Sequence, residues 1–163
     1  MRSTLPRRTA LLVAAVGLTL GAAAPATQAA PVRAAANAPI TVTLTVKGPN
    51  GALYDSTIST KGHTVTTASG GTHKCDGTNN GANTTAGATP TAALDDAAKK
   101  QGFTWDGTWY PSYDDYFVTT IDGKNGGQDA YWNISVNGTA TPVGGCQFRI
   151  KAGDKVAFTW TEM

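Results

Sequence analysis

Ile40-Thr41-Val42-Thr43-Leu44-Thr45-Val46 alternates apolar and hydroxyl side chains without a break. A β-strand sends successive side chains to opposite faces, so the four aliphatic residues share one face and the three threonines the other. This predicts a half-buried strand. Lys47-Gly48-Pro49-Asn50-Gly51 closes it as a turn cluster. A weaker strand is predicted from Tyr54 to Ser59, and another around Thr64 to Thr67. Toward the other end, strands are predicted from Tyr116 to Ile121 and from Tyr131 to Val136. In the latter, Trp132, Ile134 and Val136 share one face, and the polar Asn133 and Ser135 look toward water. Asn137-Gly138 is a hairpin signal. A short strand is expected at Gln147 to Ile150. The last runs from Lys155 to Thr161, with Val156, Phe158 and Trp160 inward.

One helix interrupts the strands. Thr89 can cap it, Pro90 fits its first position, and Leu94, Ala97 and Ala98 form an apolar stripe. Lys99 and Lys100 suit its C-terminal dipole, and Gly102 can end it. Strands, one helix, then strands predict an α+β fold, a sheet packed on one helix. Gly70 to Ala88 is expected as a long polar loop, with Asp76 supporting a turn.

The 163 residues suit one domain. Arg2, Arg7 and Arg8 precede an apolar run from Leu11 to Leu20, and Thr27-Gln28-Ala29 offers a cleavage site. Residues 1–29 therefore read as a signal peptide, 30–39 as a flexible lead-in and 40–163 as the domain, with a secreted, extracellular product expected. The apolar run is too short for a bilayer, so no membrane association is expected after cleavage. The formal charge is +2, and three of the 13 basic residues are the leader arginines. The remainder is near neutral, which argues against a nucleic-acid partner.

Cys75 and Cys146 are the only cysteines. In an exported chain they predict one disulfide, worth about 4 kcal/mol in chain entropy. A zinc set with His63 and His73 is the alternative, but tight ligand pairs are absent and the histidines read as loop residues. No metal and no cofactor are expected.

Phe103 to Phe117 holds seven aromatics in 15 residues. Phe103 and Phe117 are assigned to the core. Trp105, Trp109, Tyr110 and Tyr113 sit between turn residues and are the candidate ligand-binding residues, with Asp106, Asp114 and Asp115 as candidate hydrogen-bond acceptors. Against that role, Asp114 and Asp115 read as solvated acids near a strand start.

Tyr131-Trp132-Asn133-Ile134-Ser135-Val136-Asn137-Gly138 and Asp115-Tyr116-Phe117-Val118-Thr119-Thr120-Ile121-Asp122-Gly123 carry a resemblance. So do Cys75-Asp76-Gly77-Thr78, Phe103-Thr104-Trp105-Asp106-Gly107-Thr108-Trp109-Tyr110 and Ile150-Lys151-Ala152-Gly153-Asp154-Lys155-Val156. Together they resemble an uncharacterised bacterial family whose domain is similar to the C-terminal domain of transcobalamin. The resemblance implies a β-grasp fold of the soluble-ligand-binding kind: a mixed, mostly antiparallel sheet on one helix. It also implies a binding module. In transcobalamin the related domain covers one face of a corrinoid beside an α-helical domain. Cobalamin is accordingly expected as a partner only beside a second domain.

These readings converge on a secreted, non-enzymatic binding module for a small molecule or a cell-surface component. One alternative is a structural or protein-interaction domain, or an inhibitor presenting the Gly70 to Ala88 loop. A hydrolase using Asp114, Asp115 or His73 ranks last, because no catalytic constellation is legible.

Overall fold

A computed structural model describes residues 36–163. The expected signal peptide, residues 1–29, and residues 30–35 of the expected lead-in lie outside the described residues. In chain order the strands are β1 (Ile40–Gly48), β2 (Gly51–Thr60), β3 (His63–Thr67) and β4 (Gly71–Cys75). A 3-10 turn, Asn79–Gly81, and one helix, α1 (Pro90–Gln101), follow. Then come β5 (Trp105–Tyr110), β6 (Asp115–Ile121), β7 (Lys124–Asn125), β8 (Ala130–Val136), β9 (Thr139–Ala140) and β10 (Lys155–Glu162). The chain is mostly sheet, with one α-helix among the described residues.

The strands divide among three sheets. The largest has the order β2-β1-β10-β8-β9, and the others are β3-β4 and β5-β6-β7. β1 pairs parallel with β10 and antiparallel with β2, so the large sheet is mixed. The alternation read in β1 holds: Val42, Leu44 and Val46 are buried, while its threonines are exposed or half-buried. They join Ile58, Trp132, Val156 and Phe158 in one core with Ala93, Leu94 and Ala97 of α1. The helix forms where its caps are. Thr89 Oγ1 accepts from Ala92 N at 3.2 Å, and Gly102, at φ +83°, donates its N–H to Ala98 O. A Ser or Thr cap of this kind is worth about 1 kcal/mol.

A second, smaller core holds Val65, Tyr116 and the Cys75–Cys146 disulfide, with Trp105 and Trp109 against it. The disulfide ties the end of β4 to the loop before β10. Both sulfurs being bonded, the zinc set with His63 and His73 does not form. Near the N-terminal end of the described residues, Asn37 brackets Gly62 in two hydrogen bonds, to its O at 2.8 Å and from its N at 2.7 Å.

Four expectations are corrected. The aromatic stretch, expected between turn residues, is largely strand: Trp105, Trp109 and Tyr110 belong to β5, which pairs with β6 across a short turn. Gln147 to Ile150 forms no strand, because Gln147 N and Phe148 N donate to Gly144 O and Ile150 N to Ala88 O. His63 and His73 lie in β3 and β4, not in loops, and pair there with Cys75 and Val65. The start of the expected Gly70 to Ala88 loop is likewise β4.

Candidate functional site

The three-stranded sheet sorts the aromatics by parity. Tyr110 lies directly opposite Asp115, and Trp109 opposite Tyr116. Residues two apart on a strand share a face, so Tyr110, Asp115 and Phe117 form one face, and Trp109 and Tyr116 the other. The inner face is filled. Tyr116 is buried, its hydroxyl 2.7 Å from Gly71 O, and Trp109 meets its ring at 4.9 Å. His73 stacks flat on Trp109 at 4.0 Å. Trp105 donates its indole N–H to Asp95 at 3.2 Å.

The outer face is open. Tyr110, Tyr113 and Phe117 wall a cleft of about 550 Å³ with Pro142, Val143 and Gln147, and with Asp115 and Gly144 at its base. Tyr113 is 65% exposed and Phe117 51% exposed. Phe117 was assigned to the core; the parity of β6 sends it outward, while Tyr116 and Val118 take the core positions.

Two tethers hold the walls. The Pro111–Asp114 turn carries Tyr113, and Asp114 accepts the N–H of Asn80 at 2.8 Å, pinning that turn to the 3-10 segment. The facing wall, residues 142–147, is fastened by the disulfide at Cys146 and by Asp115. That carboxyl accepts Cys146 N at 3.0 Å and Gln147 N at 3.3 Å. A Cβ on Gly144 would run into the Asp115 carboxylate, so this position admits only glycine without rearrangement.

Asp115 was read as a solvated acid and is instead 5% exposed. Burial pushes its pKa from the usual 3.8 up to about 7. The N–H groups of Cys146, Gln147 and Tyr116 work against that rise, and the neighbouring Asp114 charge adds to it.

Of the four aromatic candidates, the cleft brings together Tyr110 and Tyr113. Trp105 and Trp109 belong to the opposite face. Asp106, a candidate acceptor, is occupied by Ser69, whose N–H and hydroxyl it accepts at 3.0 and 2.6 Å. Asp115, one of the candidate acceptors, lies in the cleft with Tyr110 and Tyr113, whereas Phe117 and Val143 were missed. Counting period two from Tyr110 and Asp115 would have found Phe117. His73 and Asp115 lie on opposite faces of the β5–β6 pair, so the hydrolase set does not converge. Among the described residues no helix is long and apolar enough to cross a membrane.

A second polar cluster lies between β3 and α1. His63 Nε2 is 2.9 Å from Asp95 Oδ2 and 3.8 Å from Asp96 Oδ1. Its Nδ1 is 2.9 Å from Lys61 O. Both ring nitrogens therefore face acceptors, the hydrogen bond to Asp95 raises the His63 pKa against the effect of burial, and the imidazolium is favoured. Burial pushes Asp95 up, but hydrogen bonds from His63, Lys99 and Trp105 outweigh it and leave the carboxylate below its usual range.

Comparison with known proteins places these elements. Residues 87–162 match the Domain of unknown function (DUF4430). The DUF4430 match runs from just before α1 through β10 and so contains every residue of the cleft. No curated protein sequence matches the chain. Among solved structures, haptocorrin in complex with Cbi aligns with a TM-score of 0.50 at 17% identity, over 77% of this chain and 26% of that one. This chain thus spans about a quarter of haptocorrin, and the likeness is one of fold. A candidate metal-binding protein from Ruminococcus gnavus aligns at TM-score 0.43 and 15% identity, over 76% of this chain and 98% of that one.

Proposed function

We propose that this chain is a secreted, non-enzymatic binding module of β-grasp type, and that its outer cleft takes a small molecule of mainly apolar surface. The carrying observation is the cleft itself: about 550 Å³, walled by the exposed rings of Tyr110, Tyr113 and Phe117. Its size and lining suit a ligand site, and exposed rings around one polar group are a common way to build one. Its walls are pre-set by a disulfide and a buried carboxyl, which lowers the ordering cost of binding. The mixed sheet on one helix, and the fold likeness to haptocorrin, support the β-grasp reading. The disulfide supports an oxidising compartment and hence export. Haptocorrin's partner supports a small-molecule ligand in general; with about a quarter of that chain aligned, it does not carry Cbi over to this one.

Native mass spectrometry of the protein recovered from the medium of its host tests this reading. The expected species lacks the leader, holds the disulfide and retains a discrete added mass. Tyr110→Ala, Tyr113→Ala and Phe117→Ala combined should abolish that added mass. An adduct that survives all three changes would move the site elsewhere. A bare protein that also ignores a small-molecule panel would sink the reading.

A further inference from the structure

The cleft lining is lopsided in charge. It contains the rings of Tyr110, Tyr113 and Phe117 and one carboxyl, that of Asp115, and neither Lys nor Arg. The faces of aromatic rings carry the negative end of a quadrupole. Ring faces turned to the cleft and the carboxyl, once ionised, thus present the same sign to anything that enters.

Asp115 is also short of a partner. A buried charge is ordinarily paired with an opposite one. The groups that reach this carboxyl are neutral backbone N–H donors, those of Cys146 and Gln147 with a contribution from Tyr116. Among the described residues the ion pairs involve Asp95 and Asp96, and Asp115 takes part in none. The charged neighbour it does have, Asp114, has the same sign and worsens the imbalance. Burial accordingly holds the proton on Asp115 up to about pH 7 in the empty cleft.

We propose that the cleft is a cation box, which takes an organic cation bearing a methylated ammonium against Tyr110, Tyr113 and Phe117, above the Asp115 carboxyl. This rests on the cleft being the ligand site. An anion would meet the carboxyl and the ring faces with like sign. A neutral apolar molecule would leave Asp115 protonated below about pH 7 and, above it, ionised without a countercharge. A primary ammonium would need its three N–H groups satisfied; besides Asp115 the lining side chains offer for this the Gln147 amide and the tyrosine hydroxyls, while Pro142 and Val143 on the far wall are apolar. Methyl groups on the nitrogen suit that wall and remove the demand for acceptors, while the charge still meets the rings and the carboxylate. The cleft exceeds a trimethylammonium group in size, so the natural ligand has a body beyond its cationic head.

The test compares choline with its neutral isostere, dimethylbutanol, in which carbon replaces the ammonium nitrogen. Both are titrated calorimetrically into the oxidised protein at about pH 8, where Asp115 is mostly ionised. Choline is expected to bind about tenfold more tightly. Phe117→Leu keeps an apolar wall and removes a ring. It should reduce choline affinity severalfold and leave the isostere unchanged. Phe117 and Tyr113 are exposed, so Phe117→Leu and Tyr113→Leu leave the fold intact. Equal binding of the two probes would overturn the cation box and leave the cleft standing as a small-molecule site. Choline that fails to bind at tens of millimolar would also overturn it. Probes that bind with affinities indifferent to both leucine variants would overturn the box and the placement of the site together.

Discussion

Asp95 and Asp115 are equally buried and electrostatically opposite. They are 4% and 5% exposed, so desolvation acts on both. Asp95 faces an imidazole, an ammonium and an indole N–H, and ends below its usual range. Asp115 faces backbone N–H groups and a second carboxylate, and ends near 7. Burial alone therefore does not decide ionisation; the charge of the partners does. Asp95 completes a local ion network, its carboxylate already engaged by His63, Lys99 and Trp105. Asp115 holds a wall of the cleft in place and has no cation of its own. That asymmetry separates the cluster that supports structure from the one proposed to recognise a ligand.

The largest expected effect is in the pH dependence of stability. The Asp115 pKa is higher folded than unfolded, so its proton stabilises the fold. That contribution is complete below about pH 4 and is lost as pH rises through about 7, a change of up to about 4 kcal/mol. Urea unfolding between these limits should show the decline in the wild type, and Asp115→Asn should flatten it. A wild-type curve parallel to that of the asparagine variant would end the contrast between the two acids. Choline, if it binds as proposed, should recover part of the loss near neutral pH.

Asp95 should behave in the opposite sense. Its pKa is lowered, so its contribution is present above 3.8 and lost as pH falls. Asp95→Ala strands the His63 charge and the Trp105 N–H in a half-buried position, at an expected cost of about 3 kcal/mol near pH 6. Lys99 is largely exposed and returns to water. His63→Gln is the smaller half of the same test. The His63 pKa is raised, so its contribution is full below 6.5 and fades as pH rises past the raised value. About 1 kcal/mol, present at pH 5 and gone by pH 9, is expected from thermal melts.

The two clusters were unequally legible in the sequence. The helix was readable to the residue, because Thr89, Pro90 and Gly102 act on backbone groups within four positions of themselves. The alternation of β1 was equally local. Asp115 was not readable, since burial of its carboxyl depends on Cys146 and Gln147, 31 and 32 positions away. The disulfide was expected from cysteine count and compartment, yet nothing local says that it fastens a cleft wall. The aromatic stretch failed for a different reason. Its turn residues, Pro111 to Asp114, suggested a long loop, whereas they form only a short turn between paired strands. Once β5 and β6 are in register, parity separates Trp109 from Tyr110, while Trp105 lies beyond the bulge at Asp106/Gly107 and Tyr113 in the turn, where contacts rather than parity place them. Asn79-Asn80-Gly81 shows the same limit: a polar run reads as loop, and only the fold reveals that Asn80 braces the turn carrying Tyr113.

The smallest effect sharpens the comparison most. Tyr113 is 65% exposed on a turn that Asp114 and Asn80 hold through groups other than its ring. Its ring meets Tyr110 at 6.4 Å, edge to face, and does not reach the core. Tyr113→Ala should therefore alter unfolding free energy by no more than about 0.5 kcal/mol. Trp109→Ala, on the inner face, should cost distinctly more, because it strips the stack from His73 and the edge contact from Tyr116. A large exposed ring that contributes almost nothing to folding, beside a half-buried one that contributes much, is the pattern expected where an aromatic is retained for a ligand. If Tyr113→Ala proved as damaging to stability as Trp109→Ala, the outer rings would be structural and the cleft a by-product of packing.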